Sequence, residues 1–458
     1  MNYRIRATEV PDDDPFRHDA LNRKQIVEFV AGVVSDTGDQ PLVLAIDSPY
    51  GTGKSVFVDM VGKVLQKRNF QTVYFNAWKA DHVSDPLIAM VAALDEAFPK
   101  AEGSIAGIGM KEVKKFATAV LKRTAILGVK LGTGGLVDLP DGIEGAVVDA
   151  ATDATNDLIE EFAKEEQAAK CFRAEVEKVV ASLPKMQKEP TLVFFIDELD
   201  RCRPDFAMSL LERIKHMFDV PNLAFVLSID KKQLEAVTAA VYGEKIDAAE
   251  YLRKFIDLEF GLPAPSRIKF INNAINHAGI ADKLQGRRNE RDTIVRLLGL
   301  LADIYDMRLR AIERCIIRLK LVLAATGDQE RLETIHLGLL IVLRSVDKEM
   351  FDKIAFRKIG YVNAMNYFRE RAGVYDIADS VEWNALEAVL IVELAGPDEK
   401  RTLRDQHIAI INNDTSPAAR NKAQHLLSLT DSYSMPSADR KSMLRVAAAI
   451  DIAADIRD

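Results

Sequence analysis

The chain has 458 residues and a formal net charge of −8, with 48% hydrophobic and 28% charged residues. That length is too great for one core and predicts about two or three domains of ordinary soluble, globular composition. The acidic balance excludes a protein that coats nucleic acid through bulk positive charge, and leaves room only for a local basic patch.

Residues 1–20, "MNYRIRATEVPDDDPFRHDA", form a polar lead-in without the apolar stretch of a signal peptide. A helix follows in "LNRKQIVEFVAGVVSD", where apolar residues recur at helical spacing. "PLVLAID" is a short continuous apolar run, the pattern of a strand buried on both faces of a parallel sheet. A glycine-rich loop and a second helical pattern, "KSVFVDMVGKVLQKR", come next. "TVYFNAW", "TLVFFIDELD" and "LAFVLSID" read as three further strands.

Between the second and third strands lies an insert, about 100–190, basic at first, then Gly-rich, then a long acidic helix. After "FGLPAP" the chain reads helical to its end. The predicted architecture is α/β: a parallel sheet flanked by helices, with an inserted helical segment and an all-α C-terminal domain. The expected boundaries are 1–263 for the core and 264–458 for the helical domain.

No run reaches the roughly 20 apolar residues that span a bilayer. Cys171, Cys202 and Cys315 are far apart, and the histidines form no metal-binding cluster. A reduced, cytoplasmic chain without zinc is the expectation.

The loop "SPYGTGKS" has the spacing of a phosphate-binding loop, with Ser48 where the usual pattern begins with glycine. Backbone N–H groups of such a loop face inward and cradle phosphate, and the dipole of the following helix adds to them. Gly51 and Gly53 permit the dihedrals and the close approach. The expected nucleotide contacts are Ser48, Pro49, Tyr50, Gly51, Thr52, Gly53, Lys54, Ser55 and Val56. Lys54 would bind the β- and γ-phosphates, and Ser55 would ligate Mg²⁺.

"FFIDELD" supplies the acidic partner. Asp197 emerges at the end of the third strand, where it would hold Mg²⁺ through water. Glu198 would orient and deprotonate the attacking water. At the end of the fourth strand, Ser228 or Asp230 would reach the γ-phosphate or the water. No N-K-x-D element follows to read guanine, which favours ATP over GTP.

These residues carry a resemblance to the KAP family of P-loop NTPases. "SPYGTGKS" is similar to that family's G-x-W-G-x-G-K-S loop, with Tyr50 at the tryptophan position. "FNAWKADHVSDPL" resembles its post-strand signature, and "FFIDELDRC" its acidic strand, with Glu198 a conservative departure. "YLRKFIDLEFGLP" resembles its closing segment, and "RLRAIERC" a helix carrying an arginine, here Arg310. The resemblance covers roughly residues 12–320. It implies ATP hydrolysis in an additional-strand, AAA-like core, and a role in phage exclusion or defence against invading DNA.

Many family members place membrane-spanning helices between the two nucleotide motifs. Here Lys111, Lys114, Lys115, Lys122, Arg123 and Lys130 punctuate the insert, and the apolar stretch 124–129 is too short to span. The favoured reading of this basic helix is a solvated face packed on the core. A peripheral membrane contact and a nucleic-acid contact stay open.

Arg253 or Arg310 would complete the positive charge around the γ-phosphate, Arg253 from a neighbouring subunit. Arg201 is expected to support Asp197 or Asp200, Asn76 to point into the site, Trp78 to lie in the core, and His216 on a helix surface. The reading is an ATPase using ATP and Mg²⁺ that works as a homo-oligomer or with a partner effector. Two rivals remain: a nucleotide-gated scaffold with little hydrolysis, and a nucleic-acid remodeller using the basic insert.

Overall fold

The computed structural model describes residues 9–98, 110–115, 117–118, 166–284, 290–325, 334–373, 380–413, 416–434 and 443–455. The chain divides into two compact units, Thr8–Ala264 and Pro265–Asp458.

The first unit is built on five parallel strands: β1 Leu42–Asp47, β2 Gln71–Asn76, β3 Leu192–Asp197, β4 Leu223–Ile229 and β5 Leu258–Gly261, in the order β2-β3-β4-β1-β5. β4 therefore stands between β1, which leads into the glycine-rich loop, and β3, which carries the paired acids. This is the additional-strand arrangement.

The continuous apolar runs are explained by burial on both faces. Leu44, Ile46, Val193, Phe195 and Val226 face one way. There they meet α1 (Lys24–Ser35) and α2 (Lys54–Lys67) through Val27, Val30, Phe57, Val61 and Leu65. Val43, Ala45, Phe194, Ile196, Phe225 and Leu227 face the other way. They pack under α3 (Pro86–Ala97), α4 (Pro204–Met217) and α5 (Lys231–Tyr242), joined by a helical segment at 166–181. Phe172 and Phe218 meet edge-on at 5.3 Å, and Phe194 lies 5.3 Å from Phe225. Each such ring removed from water contributes about 1.5–3 kcal/mol.

The register decides where chemistry can sit. Asn76 pairs with Asp197, Asp197 with Ser228, and Ser228 with Ile46. The C-terminal ends of four strands thus align along one edge of the sheet, where open parallel sheets bind ligands.

One sequence expectation changes here: a fifth strand, β5, closes the sheet beside β1. The described start of the insert, 110–115 and 117–118, is a helix packed on the core through Met110, Val113 and Ala117, as its favoured reading had it. Its Lys114 pairs with Asp95 at 2.7 Å and Lys115 with Glu112 at 3.1 Å, so its basic residues lie on a solvated, partly neutralised face. The Gly-rich stretch, Lys122, Arg123 and Lys130 fall outside the described residues.

The second unit is helical in its described residues: α6 Arg267–His277, α7 Glu290–Ile304, α8 Leu309–Ala325, α9 Thr334–Val346, α10 Lys348–Ala355, α11 Tyr361–Ala372, α12 Val381–Leu394, α13 Pro397–Asn413, α14 Pro417–Ser434 and α15 Met443–Asp455. Side chains of Ser266, Asp347 and Ser380 cap α6, α10 and α12 by accepting from Lys269, Met350 and Trp383 N–H groups. α9 is apolar all round, with Leu337 and Leu339–Leu343 buried, so it forms the centre of this unit. A methyl group on Gly338 would come within 2.9 Å of Leu297 Cδ2, so α7 and α9 pack closely there. Among the described residues, no helix is long and apolar enough to cross a membrane.

Candidate functional site

The loop between β1 and α2 has the backbone that its glycines predict. Gly51 and Gly53 have φ of 82° and 88°, a region in which a side chain is strained. Ser48 needs no such freedom, since its φ is not positive. Its N–H donates to Ile229 O at 3.1 Å, continuing the β1–β4 ladder. Thr52 Oγ1 donates to Pro49 O at 2.9 Å, so the 2.7 Å contact between Ser48 Oγ and Thr52 Oγ1 has Ser48 as donor. A serine in the glycine position therefore staples the loop across its mouth.

α2 starts with Gly53 as its N-cap and no capping side chain. Among the described residues, no acceptor takes the N–H groups of Gly51, Gly53 or Lys54. These are the free donors of an anion cradle. Ser55, in the first turn, is exposed, and Val56 is half-buried against the core.

Lys54 Nζ donates to Ser48 O and lies 3.9 Å from Asp200 Oδ2. Burial pushes the Lys54 ammonium below the ordinary lysine value, while Asp200, Asp230, Asp197 and Asp47 pull it back up. Burial likewise raises the Asp200 carboxyl, against the pull of Lys54. Asp230 Oδ2 accepts from Tyr50 N–H at 3.1 Å, and Asp47 Oδ1 accepts from Lys231 N–H at 2.8 Å. Asp230 thus supports the loop's backbone. The group at that strand end without a partner is the fully buried Ser228 Oγ, level with Asp197 in the sheet. Leaving such a hydroxyl unpaired costs about 1–3 kcal/mol.

At the end of β3, Asp197 is buried. Its Oδ2 accepts from the Tyr74 hydroxyl at 2.9 Å, and its Oδ1 from Glu198 N–H at 2.9 Å. Glu198 occupies the left-handed region, φ 63°, which costs a non-glycine residue about 1–2 kcal/mol. Its carboxylate meets Arg201 Nη1 at 2.7 Å and Asn76 Nδ2 at 3.0 Å. The Asn76 amide is oriented in turn by Lys79 N–H, which donates to its oxygen at 2.9 Å.

Among the described residues, no three His, Cys, Asp or Glu side chains form a closed metal site. The donors present suit Mg²⁺ bound by one carboxylate and one hydroxyl, Asp197 and Ser55, with phosphate oxygens and water completing the shell. Each Asp197 oxygen takes a single hydrogen bond and keeps a free lone-pair direction.

Two expectations are corrected. Trp78 is 54% exposed and is no core residue, because it lies on the short helical turn Ala77–Ala80 beyond β2. Arg201 supports neither Asp197 nor Asp200; it pairs with Glu198 and lies between the rings of Tyr50 at 4.1 Å and Trp78 at 5.7 Å. Asn76 does turn into the site, and His216 is exposed on α4.

Arg253 is exposed and pairs with Glu250 at 2.8 Å, beside a 360 Å³ cavity that it lines with Lys231 and Glu259. Arg310 is exposed in the first turn of α8, in the other unit, and its charge acts on Glu313. The sequence reading missed Tyr74, the pairing of Asp200 with Lys54, and Arg23, whose guanidinium donates to the loop carbonyls of Thr52 and Gly53.

A glycine-rich loop between β1 and α2, an acidic pair at the end of β3 and a strand inserted between them define a nucleotide-binding P-loop NTPase of the additional-strand class. The chain belongs to the KAP family, whose P-loop domain matches residues 23–325. The uncharacterized protein MJ0182 of Methanocaldococcus jannaschii is 29% identical over 177 residues, which cover 34% of this chain and 88% of that protein. The ORC2 protein of Aeropyrum pernix in its ADPNP-ADP complexes aligns with a TM-score of 0.35 and 15% identity, over 90% of this chain and 94% of that one. Its ADP form aligns with a TM-score of 0.33 and 12% identity, over 94% and 96%.

Proposed function

We propose that the chain binds ATP with Mg²⁺, hydrolyses it, and converts nucleotide state into a conformational signal for a partner. The observation that carries this reading is the Glu198 carboxylate, held on a strained turn directly after Asp197 and on the same sheet edge as the phosphate loop. The loop N–H groups and Lys54 bind the phosphates. Asp197 and Ser55 would hold the metal, which would supply positive charge to the phosphate oxygens. Glu198, once released from Arg201 and Asn76, takes the proton of the water that attacks the γ-phosphorus; the bond to ADP breaks and phosphate leaves. Arg253, from a neighbouring copy, or Arg310 adds positive charge at the γ-phosphate.

The test is turnover by the purified protein across protein concentration, beside Lys54→Ala and Glu198→Gln. Turnover that rises with concentration and is lost in both variants supports an ATPase with a shared site. Tight ATP binding without turnover under any condition supports instead a nucleotide-gated scaffold, a reading favoured by the full engagement of Glu198 in this structure.

Family membership supports a further step: reporting to a separate effector in defence against phage. Plaque counts on cells carrying the intact gene or Lys54→Ala test it, and equal counts would remove that role. A nucleic-acid remodeller is less favoured, since Lys114 and Lys115 already pair with Asp95 and Glu112. Salt-dependent DNA binding that disappears when Lys122 and Arg123 are neutralised would restore it.

A further inference from the structure

Arg23, just before α1, is 4% exposed. Its Nη1 donates to Gly53 O at 3.0 Å and its Nη2 to Thr52 O at 2.8 Å, and its guanidinium lies 5.8 Å from the Phe57 ring centroid. Among the described residues, no carboxylate comes within ion-pair distance of that guanidinium. Asp19, the acid that acts on it, spends its carboxylate on the backbone N–H groups of Leu21, Arg23 and Lys24. Burial is the dominant influence and brings the guanidinium down to about 10, still charged at neutral pH. A cation is thus buried behind the phosphate loop with two carbonyl dipoles and one ring as its company.

The position of those carbonyls matters. A trans peptide points its C=O and N–H in opposite directions. Holding the oxygen of Thr52, and that of Gly53, which also accepts from Phe57 N–H at 3.1 Å, on one side turns the N–H groups of Gly53 and Lys54 to the other, into the cradle. Gly53 is part of the same device. A side chain there would have to accept φ 88° and would place its Cβ 3.3 Å from Arg23 Nη1.

We infer that Arg23 is a positioning residue of the phosphate site: it presets two loop peptides for the incoming phosphates and holds positive charge behind them. The inference rests on the nucleotide site proposed above. It concerns the polyphosphate and not the base, so it extends to any di- or triphosphate.

It also fixes signs that a purely structural role would not. A buried charge without a carboxylate partner contributes little to folding, and an apolar replacement of similar shape is often neutral or stabilising. Arg23→Met should therefore leave the apo protein's melting temperature within a few degrees of the wild type while weakening phosphate binding. Arg23→Lys keeps the charge but lacks the planar fork that reaches two acceptors, and should fall between.

The experiment uses the full chain. Apo melting temperatures are measured, along with calorimetric affinities for ATP, ADP, inorganic pyrophosphate and adenosine. The expected result in Arg23→Met is a Kd about tenfold weaker for ATP, ADP and pyrophosphate alike, the scale of losing charge-assisted support, with adenosine unaffected and Arg23→Lys intermediate. Unchanged affinities overturn the inference alone. So does an apo melting temperature lower by about ten degrees or more, which assigns Arg23 to folding. A wild-type protein that binds neither ATP nor pyrophosphate overturns the nucleotide site and this inference together, whereas binding without hydrolysis leaves this inference intact.

Discussion

The Arg201 guanidinium meets the Glu198 carboxylate at 2.7 Å while lying against the ring of Tyr50, a residue of the phosphate loop, at 4.1 Å. The acid proposed to activate water is therefore tied to the loop that would hold the γ-phosphate. Asn76 engages the second carboxylate oxygen. Each oxygen keeps a free lone-pair direction, so what the two bonds restrain is where the carboxylate points. Each restraint is then part of the barrier to basal turnover. Asn76→Ala and Arg201→Ala should each raise basal ATP turnover about two- to tenfold, the kinetic equivalent of about 0.5–1.5 kcal/mol per hydrogen bond. Steady-state hydrolysis without added partners is the measurement. A fall of similar size in either variant would mean that the residue assists Glu198 and does not restrain it.

Metal dependence separates binding from chemistry. Asp197 keeps a free lone-pair direction on each oxygen, and Ser55 is exposed at the start of α2. Asp197→Asn should lower turnover by about a hundredfold or more while leaving ATP binding detectable, because the charge that acts on the metal is removed and the loop is untouched. Ser55→Ala should raise the Mg²⁺ concentration needed for half-maximal turnover, and chelation should abolish turnover in the wild type. Turnover by the wild type that is unchanged after chelation would refute the assignment of both ligands.

Much of this arrangement was legible in the sequence because parallel strands buried on both faces leave long apolar runs. "PLVLAID" and "TLVFFID" place Asp47 and Asp197 at strand ends, and the two glycines mark the loop between β1 and α2. β5 left no such run: it is four residues long, an edge strand, and largely exposed. Trp78 reads as core by its chemistry, and only the turn after β2 puts it at the surface. Arg201 has three acids in the four residues before it, and spacing cannot choose among them; the left-handed turn at Glu198 does. Arg23 is thirty residues before Gly53 in the chain, and no local pattern links them.

In the C-terminal unit the feature that sets pH dependence is an acid, Glu393. Burial opposes ionisation of Glu393, but hydrogen bonds from His336 and Arg357, at 3.1 and 2.8 Å, outweigh it and bring the carboxyl down to about 2 from the ordinary 4.5. A carboxyl depressed on folding contributes stability that is complete above about 4.5 and is lost as pH falls towards 2. The contribution is of order 3 kcal/mol. Glu393→Gln should lower stability at pH 7 and flatten the acid limb of the stability curve of this unit. Denaturant unfolding from pH 7 down to pH 3, monitored in the full chain, measures it. Parallel curves for the two proteins would remove Glu393 from the acid response.

Two aromatic residues on either side of the site separate packing from surface chemistry. Phe195 is buried under α2, two residues before Asp197, and Trp78 lies exposed over Arg201. Phe195→Ala removes a ring from a filled core and should cost about 3–5 kcal/mol. Trp78→Ala deletes a ring that is already half in water. Its stability cost should stay within about 1 kcal/mol, the scale of the cation–π contact it makes. Its effect should appear in turnover, because Arg201 loses one of the two rings that hold it against Glu198, and the expected direction is the rise argued for Arg201→Ala. Urea unfolding and steady-state hydrolysis on both variants measure the contrast. A Trp78→Ala protein as unstable as Phe195→Ala would return Trp78 to the core, and one with wild-type turnover would detach it from the Glu198 restraint.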